Sequence, residues 1–167
     1  MNRISCIFVC CILILSLAAC NSSVNVFDSN DKMFSGNGIE ITLTESFELE
    51  EIEGYTMGFD SENVCVFVLK ENFSQSEGLS ELSLAEYSQM VYRANTSKFP
   101  GDVYNERGLT CMEYSFYNQD EAINYKYLSV MMKGSAAFWL IQFCCDADSY
   151  DVYYDEFIER AQTIVVE

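Results

Sequence analysis

The segment spanning residues 109–145 constrains the fold more than any other part of the chain. It divides into three strand-length runs, 109–117, 124–132 and 136–145, which are separated by short polar turns. Strands joined by short turns pair antiparallel with their sequence neighbours. The last run is the most apolar after the first twenty residues, so we expect it inside a sheet and not at an edge. The segment therefore predicts an antiparallel three-strand meander.

The residues before the meander supply further strands. The run 39–43 alternates apolar and polar residues strictly, which predicts a half-exposed strand, and residues 55–59 predict a second one. Residues 64–69 are apolar on both faces, which is typical of a central strand.

Two helices complete the prediction. Ser83 and Glu86 form a capping box, and apolar residues follow at helical spacing, so an amphipathic helix is expected over about 84–95. A second apolar stripe runs from Tyr150 to Ala161. The order predicts a two-layer α+β domain, with an antiparallel sheet of about five to six strands and both helices packed on one face.

Histidine is absent from all 167 residues. This absence excludes serine–histidine and cysteine–histidine nucleophiles, histidine-containing zinc sites and haem ligation by histidine. No catalytic motif replaces them, so we expect a protein that is not an enzyme and that carries no metal or cofactor.

The chain is strongly acidic, with a formal net charge of −17. Such a surface is repelled by nucleic-acid phosphates and by anionic lipid headgroups. We therefore expect no nucleic-acid partner, and any attachment to a membrane must come from a lipid anchor and not from basic patches.

The first twenty residues have the pattern of an export signal. Arg3 is the only charged side chain before Asp28, and an uncharged apolar run extends to Ala19. Signal-peptide apolar regions span about 7–15 residues, whereas a helix that crosses a bilayer needs about 20.

The end of this segment resembles the lipobox of bacterial lipoprotein precursors in Leu17, Ala18, Ala19 and Cys20. The resemblance implies that a signal peptidase recognises residues 17–19, cleaves before Cys20, and leaves a diacylglyceryl thioether on its thiol. It places the protein at the cell membrane, lipid-anchored on the extracytoplasmic face. An ordinary secretory signal or an uncleaved anchor is the alternative.

The predicted organisation is a signal peptide over 1–19, a lipidated cysteine and flexible tether over 20–37, and one α+β domain over 38–167. Removal of the signal takes away one of nine basic residues and none of the 26 acidic ones, which leaves a formal charge of −18.

The element order of residues 38–166 is similar to the PsbP-like fold, which DcrB-like lipoproteins share. The residues that carry the likeness are the opening Ile-x-Ile-x-Leu strand, the Leu-x-Glu-Tyr motif at Leu84, Glu86 and Tyr87, and the closing Phe157 and Ala161. It implies a non-enzymatic binding or assembly role and assigns no functional residue. An NTF2-like or lipocalin-like domain is the alternative.

Four cysteines remain after Cys20, namely Cys65, Cys111, Cys144 and Cys145. The adjacent pair points to opposite faces of a strand, so its members do not bridge each other. Buried free thiols are the first expectation, and a disulfide from one of the pair to Cys65 or Cys111 is the alternative.

Acidic and aromatic clusters are the other candidates for chemistry. Asp146 and Asp148 begin like a calcium loop but lack its glycine and distal glutamate, so a solvated or helix-capping role is favoured over a weak cation site. Tyr125 and Tyr127 share one face of a strand and are the candidate surface for a ligand or partner. Burial beneath a helix is the competing interpretation.

The sequence therefore predicts a lipid-anchored, extracytoplasmic, non-enzymatic protein that binds an envelope partner or a small ligand in envelope assembly or maintenance. An envelope hydrolase that uses carboxylates on the sheet, and a purely structural lipoprotein, are the alternatives.

The lipid anchor is tested by Cys20→Ser. We expect this variant to leave the detergent phase and to lose its acyl mass, because the thioether needs the thiol and an acyl chain drives membrane binding. Phase partitioning and mass spectrometry of the intact protein check this. Unchanged partitioning, or a wild-type protein without acyl mass, would contradict the anchor.

Overall fold

A seven-stranded antiparallel sheet forms the centre of the molecule. The computed structural model describes residues 31–95 and 102–167. The strands of this sheet are β3 (Glu48–Glu50), β4 (Met57–Asp60), β5 (Val64–Asn72), β6 (Tyr104–Glu106), β7 (Leu109–Asn118), β8 (Ile123–Lys133) and β9 (Ala137–Asp146), in the spatial order β3-β4-β5-β9-β8-β7-β6. The predicted meander is β7, β8 and β9.

A second sheet of three strands and two helices complete the described structure. The strands are β1 (Asp31–Gly36), β2 (Ile39–Thr44) and β10 (Val165–Val166), and the helices are α1 (Leu84–Asn95) and α2 (Tyr150–Gln162). Short 3-10 turns lie at Phe73–Gln75 and Leu79–Glu81. The α+β class is confirmed.

Strand β9 lies between β5 and β8 and is buried on both faces. Trp139 and Phe143 point toward one core and Phe138 toward the other, and all three are at most 1% exposed. Because neighbouring residues of a strand point to opposite faces, both faces of the sheet need cover.

The two helices consequently pack on opposite faces, which corrects the expectation that both lie on one. Helix α1 packs through Tyr87 on Phe138, with ring centroids 4.0 Å apart. Helix α2 packs through Phe157 on Phe143, at 5.4 Å. The strand count of five to six was also too low, since the sheets have seven and three strands.

The capping box at the start of α1 is present. Glu86 accepts hydrogen bonds at Oε2 from the backbone N–H of Ser83 at 2.8 Å, and Ser83 Oγ accepts one from the Glu86 N–H at 3.2 Å. The hydrogen bonds from the Ser83 hydroxyl and backbone N–H lower the pKa of the Glu86 carboxyl group. They satisfy backbone donors that the first helical turn leaves free.

Strand β1 overlaps the inner end of the predicted tether, at residues 31–36. It pairs antiparallel with β2, and Phe34 packs edge-on against Phe59 with centroids 5.0 Å apart. Asp31 accepts a hydrogen bond from Arg160 of α2 at 2.7 Å. The only large apolar side chains in residues 31–36 are Met33 and Phe34, which are adjacent. The segment therefore lacks the apolar–polar alternation that would predict a strand.

The predicted signal peptide, the lipobox and residues 20–30 lie outside the described residues. Within the ranges 31–95 and 102–167, neither helix is long and apolar enough to cross a bilayer.

Truncation of Phe34 tests whether β1 belongs to the folded domain. We expect Phe34→Ala to lower the free energy of unfolding by about 1–2 kcal/mol, because half-buried aromatic packing is lost. Met33, its neighbour, is 66% exposed, so Met33→Ala is the matched control and is expected to have little effect. Urea unfolding of both variants checks this. Equal free energies of unfolding for the two variants would indicate that residues 31–36 are part of a tether and not of the folded domain.

Candidate functional site

Four aromatic side chains form a block on one face of the seven-stranded sheet. We call Tyr114, Phe116, Tyr125 and Tyr127 the aromatic block. Tyr114 lies opposite Tyr127 and Phe116 opposite Tyr125 in the β7–β8 register. The rings of Tyr114 and Tyr127 stack with centroids 4.5 Å apart. The predicted surface residues Tyr125 and Tyr127 thus share a face, half-buried, with two partners that the sequence did not single out.

The block lies on the face that carries α1. Helix α1 covers Met112, Met131 and Phe138, and Tyr114, the nearest member of the block, packs against this cluster. Phe116, farther along β7, is 45% exposed. An exposed aromatic side chain of this size is a feature of binding surfaces.

A buried polar network fixes the inner edge of the block. Gln142 is 7% exposed, and its Nε2 donates to the Tyr114 hydroxyl at 2.6 Å and to Ser129 Oγ at 3.4 Å. Its Oε1 accepts a hydrogen bond from the Tyr55 hydroxyl at 3.3 Å. A satisfied buried network holds its members in one arrangement, so the Tyr114 ring is held in place before any ligand binds.

Acidic side chains border the outer end of the block. The Tyr125 hydroxyl donates to Glu121 Oε2 at 2.9 Å, and burial together with this hydrogen bond raises the pKa of Tyr125. The three chain segments that turn at this end are 60–63, 118–122 and 146–149. They contain no lysine or arginine and carry six acids, Asp60, Glu62, Asp120, Glu121, Asp146 and Asp148. The border therefore favours a positively charged ligand.

A second polar cluster lies on the opposite face and was missed by the sequence analysis. Glu113 accepts a hydrogen bond from the Tyr104 hydroxyl at 2.6 Å and forms a salt bridge with Lys126 Nζ at 3.1 Å. Lys126 Nζ also lies 3.9 Å from the ring centroid of Tyr150, at the start of α2. The cluster joins α2 to the sheet, and finding it required the β7–β8 register.

The four cysteines are free thiols, as expected first, and the alternative of a disulfide is not realised. Cys65 lies opposite Cys144 in the register of β5 and β9, and its thiol donates to Asp60 Oδ1 at 3.1 Å. Cys111 and Cys145 lie on the other face, where burial raises the pKa of each to about 12. A reactive cysteine needs a lowered pKa, so these thiols are suited to packing and not to nucleophilic chemistry.

The described cavities offer no arrangement of carboxylates for hydrolysis. Burial raises the pKa of Glu156, but the carboxylate pairs with Arg160 at 3.4 Å and the adjoining cavity measures only about 10 Å³. A wider groove of about 460 Å³ runs along α1 and contains one carboxylate, Glu86. A general acid–base pair needs two carboxylates facing one substrate space, which neither cavity provides.

The Asp146 and Asp148 turn is closed by its own hydrogen bonds and does not cap α2, because the N-cap residue of that helix is Ser149 and no side-chain hydrogen bond among the described residues caps it there. Asp146 Oδ1 accepts a hydrogen bond from the backbone N–H of Asp148 at 2.9 Å, and its carbonyl accepts one from Ser149 N–H at 3.0 Å. In residues 31–95 and 102–167, no group of three or more histidine, cysteine or acidic side chains is placed to hold a metal ion.

Comparison with known proteins identifies the fold. No family model matches the chain, and no curated protein matches it. The solution structure of cyanobacterial PsbP from Synechocystis is 11% identical, with a TM-score of 0.54 over 88% of this chain and 98% of that one. A Bacteroides thetaiotaomicron structure gives 0.55 at 10% identity, covering 83% of this chain and 48% of that chain.

The Ran-binding protein Mog1p of Saccharomyces cerevisiae also shares the fold. Its TM-score is 0.50 at 10% identity, over 82% of this chain and 95% of the yeast protein. At these identities the likeness shows the fold alone. The PsbP-like fold that the sequence predicted is confirmed.

Thiol reactivity tests whether Cys111 and Cys145 are inert. We expect iodoacetamide at pH 8 to leave both unmodified in the folded protein, because with a pKa of about 12 only about one thiol in ten thousand is ionised. The rate should rise about tenfold per pH unit while the fold persists. Mass spectrometry of peptides checks this. Labelling at pH 8 as fast as in urea-unfolded protein would show that a reactive thiol exists.

Proposed function

We propose that this protein is a lipid-anchored, extracytoplasmic, non-enzymatic binding protein that holds a partner protein at the cell membrane during envelope assembly or maintenance. The aromatic block is the surface that meets the partner. The single observation that carries the proposal is the exposed Phe116, which continues a stacked and hydrogen-bonded set of tyrosines along the sheet face.

The shape of this surface favours a macromolecule over a small ligand. The four side chains come from two adjacent strands and form part of a sheet face, and Tyr114 and Tyr127 stack with their rings within 4° of parallel. Small-molecule sites are usually concave and enclose most of the ligand, whereas protein interfaces use exposed aromatic anchors. Preordered tyrosines lose little conformational entropy on binding, which raises the affinity that each contact provides.

The fold is one on which protein binding occurs. Mog1p, which shares it, is a Ran-binding protein. This supports a binding role for the present chain without indicating its partner.

The alternatives receive less support. A hydrolase would need facing carboxylates in a cavity, and the described cavities do not supply them. A purely structural lipoprotein has no need to keep Phe116 exposed beside a fixed network of hydroxyl groups.

The membrane address rests on the lipobox residues Leu17, Ala18, Ala19 and Cys20. With a charge of −17, the domain is repelled by anionic headgroups, so it stands off the bilayer while the anchor restricts it to the membrane plane. Tethering raises the effective concentration of the domain near partners in the same membrane, which allows a modest interface to suffice.

Site-specific photo-cross-linking tests the binding surface. A photoreactive phenylalanine analogue replaces Phe116 in cells that produce the full-length protein, and adducts are detected by a shift in gel mobility and identified by mass spectrometry. We expect one dominant protein adduct, because an interface anchor contacts its partner directly.

The matched control is the same analogue at Val152. This residue is 71% exposed and lies on α2, which packs on the opposite face of the sheet. Adducts of equal yield at both positions would indicate random collisions. Absence of any adduct at Phe116 in membranes that contain the acylated protein would remove the aromatic block as the binding surface.

A further inference from the structure

Strand β7 has an edge beside the aromatic block along which no described strand pairs. It spans Leu109–Asn118, but its outer neighbour β6 pairs only with the first three residues, Leu109, Thr110 and Cys111. From Met112 onward no described strand lies on the outer side of β7. An unpaired edge of this length is a template for another strand.

The turn between β6 and β7 determines which backbone groups face outward. Arg107 and Gly108 have φ values of 50° and 87°, and they form a two-residue hairpin loop that makes Glu106 and Leu109 a hydrogen-bonded pair. Alternate residues of β7 then direct their N–H and C=O groups to opposite sides. Tyr114 and Phe116 bond to β8, whereas Ser115 and Tyr117 direct their backbone groups outward.

Outside the strand ladders, no hydrogen bond of the described residues uses the backbone groups of Ser115 or Tyr117. Both residues are exposed. Their outward backbone groups are therefore accessible to an added strand, which would replace the water around them. Two residues with outward backbone groups offer four ladder hydrogen bonds to an added strand.

The other edges are less suited to strand addition. Strand β3 is only three residues long and places Glu48 and Glu50 on its exposed surface. Strand β1 begins with Asp31 and Lys32, and Asp31 is bound by Arg160 at 2.7 Å. Short length and charge are the means by which proteins protect edges. The β7 edge has neither protection over Ser115, Phe116 and Tyr117.

The charge around the edge selects the strand that fits. The turn that follows β7 carries Asp120 and Glu121, and Glu113 precedes the open residues. Lys126 is the nearest described basic side chain on β8, and it points to the other face, where it pairs with Glu113. A second copy of this chain would bring a further charge of −17 to an acidic edge, so self-pairing is opposed.

We propose that the β7 edge binds an extended basic segment of the partner protein by strand addition. Backbone hydrogen bonds to Ser115 and Tyr117 supply the pairing. Apolar side chains of the added strand pack beside Phe116, and its lysine or arginine side chains reach Asp120 and Glu121. The inference rests on the proposed binding function and specifies how the partner is held.

A model peptide tests the mode of binding. The probe is a fluorescent peptide of about nine alternating lysine and valine residues. The full-length protein in nonionic detergent is titrated against it by anisotropy. An alternating glutamate and valine peptide is the charge control. We expect the basic peptide to bind, the acidic one to fail, and added salt to weaken binding.

Variants at the edge separate pairing from general attraction. Ser115→Pro removes one outward N–H and should weaken peptide binding about tenfold. Its matched control is Ser35→Pro in β1, where no described strand lies on the outer side and Ser35 is also exposed and directs its N–H outward. Ser115→Lys keeps the N–H but repels a basic strand, and it replaces the proline variant if circular dichroism shows that the proline variant is unfolded.

Each outcome decides the proposal. Selective loss of binding at Ser115 with retention at Ser35 supports it. No binding, equal binding by the Ser115 and Ser35 variants, or a dimer by sedimentation that Ser115→Lys dissolves would overturn it. If strand addition is overturned but the Phe116 photo-cross-link to a partner persists, the proposed binding function still stands. If that cross-link is absent as well, both the binding function and strand addition are rejected.

Discussion

Burial of both faces of β9 is the constraint on which the rest of the structure depends. Phe138 and Trp139 are adjacent in sequence, fully buried, and directed into different cores. Each fully buried aromatic side chain contributes about 2–3 kcal/mol of hydrophobic stabilisation, so neither face can remain open to water. Among the described residues, one face is covered by α2 with the three-stranded sheet, and the other by α1 over part of its length.

The candidate site lies on this second face and extends past the part that α1 covers in the described structure. Helix α1 packs near Phe138 and Met131, whereas β7 and β8 continue past it to Asn118 and Ile123. Beyond the helix, tyrosines take the place of aliphatic residues, because their rings pack on the sheet while their hydroxyl groups bind Glu121 or Gln142. The aromatic block and the open β7 edge are thus two consequences of the same difference in length between the strands and their cover.

The helices and strands of this fold could be predicted from the sequence where a short stretch of neighbouring residues determines them. The capping box at Ser83, the helix that follows it and the three strands of the meander depend on neighbouring residues alone. The arrangement of the helices was not readable, because an apolar strand such as β9 does not reveal which element covers which face. The Glu113–Lys126 pair and the Gln142 network join residues that only the strand register brings together. Their residue types alone therefore did not predict these contacts. Tyr125 and Tyr127 were identified by alternation, but their partners Tyr114 and Phe116 required the same register.

The account is tested most directly by hydrogen–deuterium exchange of the β7 backbone in native membranes and in purified protein. If a partner occupies the aromatic block and the adjacent edge, the amides of Ser115 and Tyr117 should exchange at least about tenfold more slowly in the membranes, while the edge amide of Ser35 should be unchanged. Equal exchange of the β7 amides in the two preparations would contradict the account.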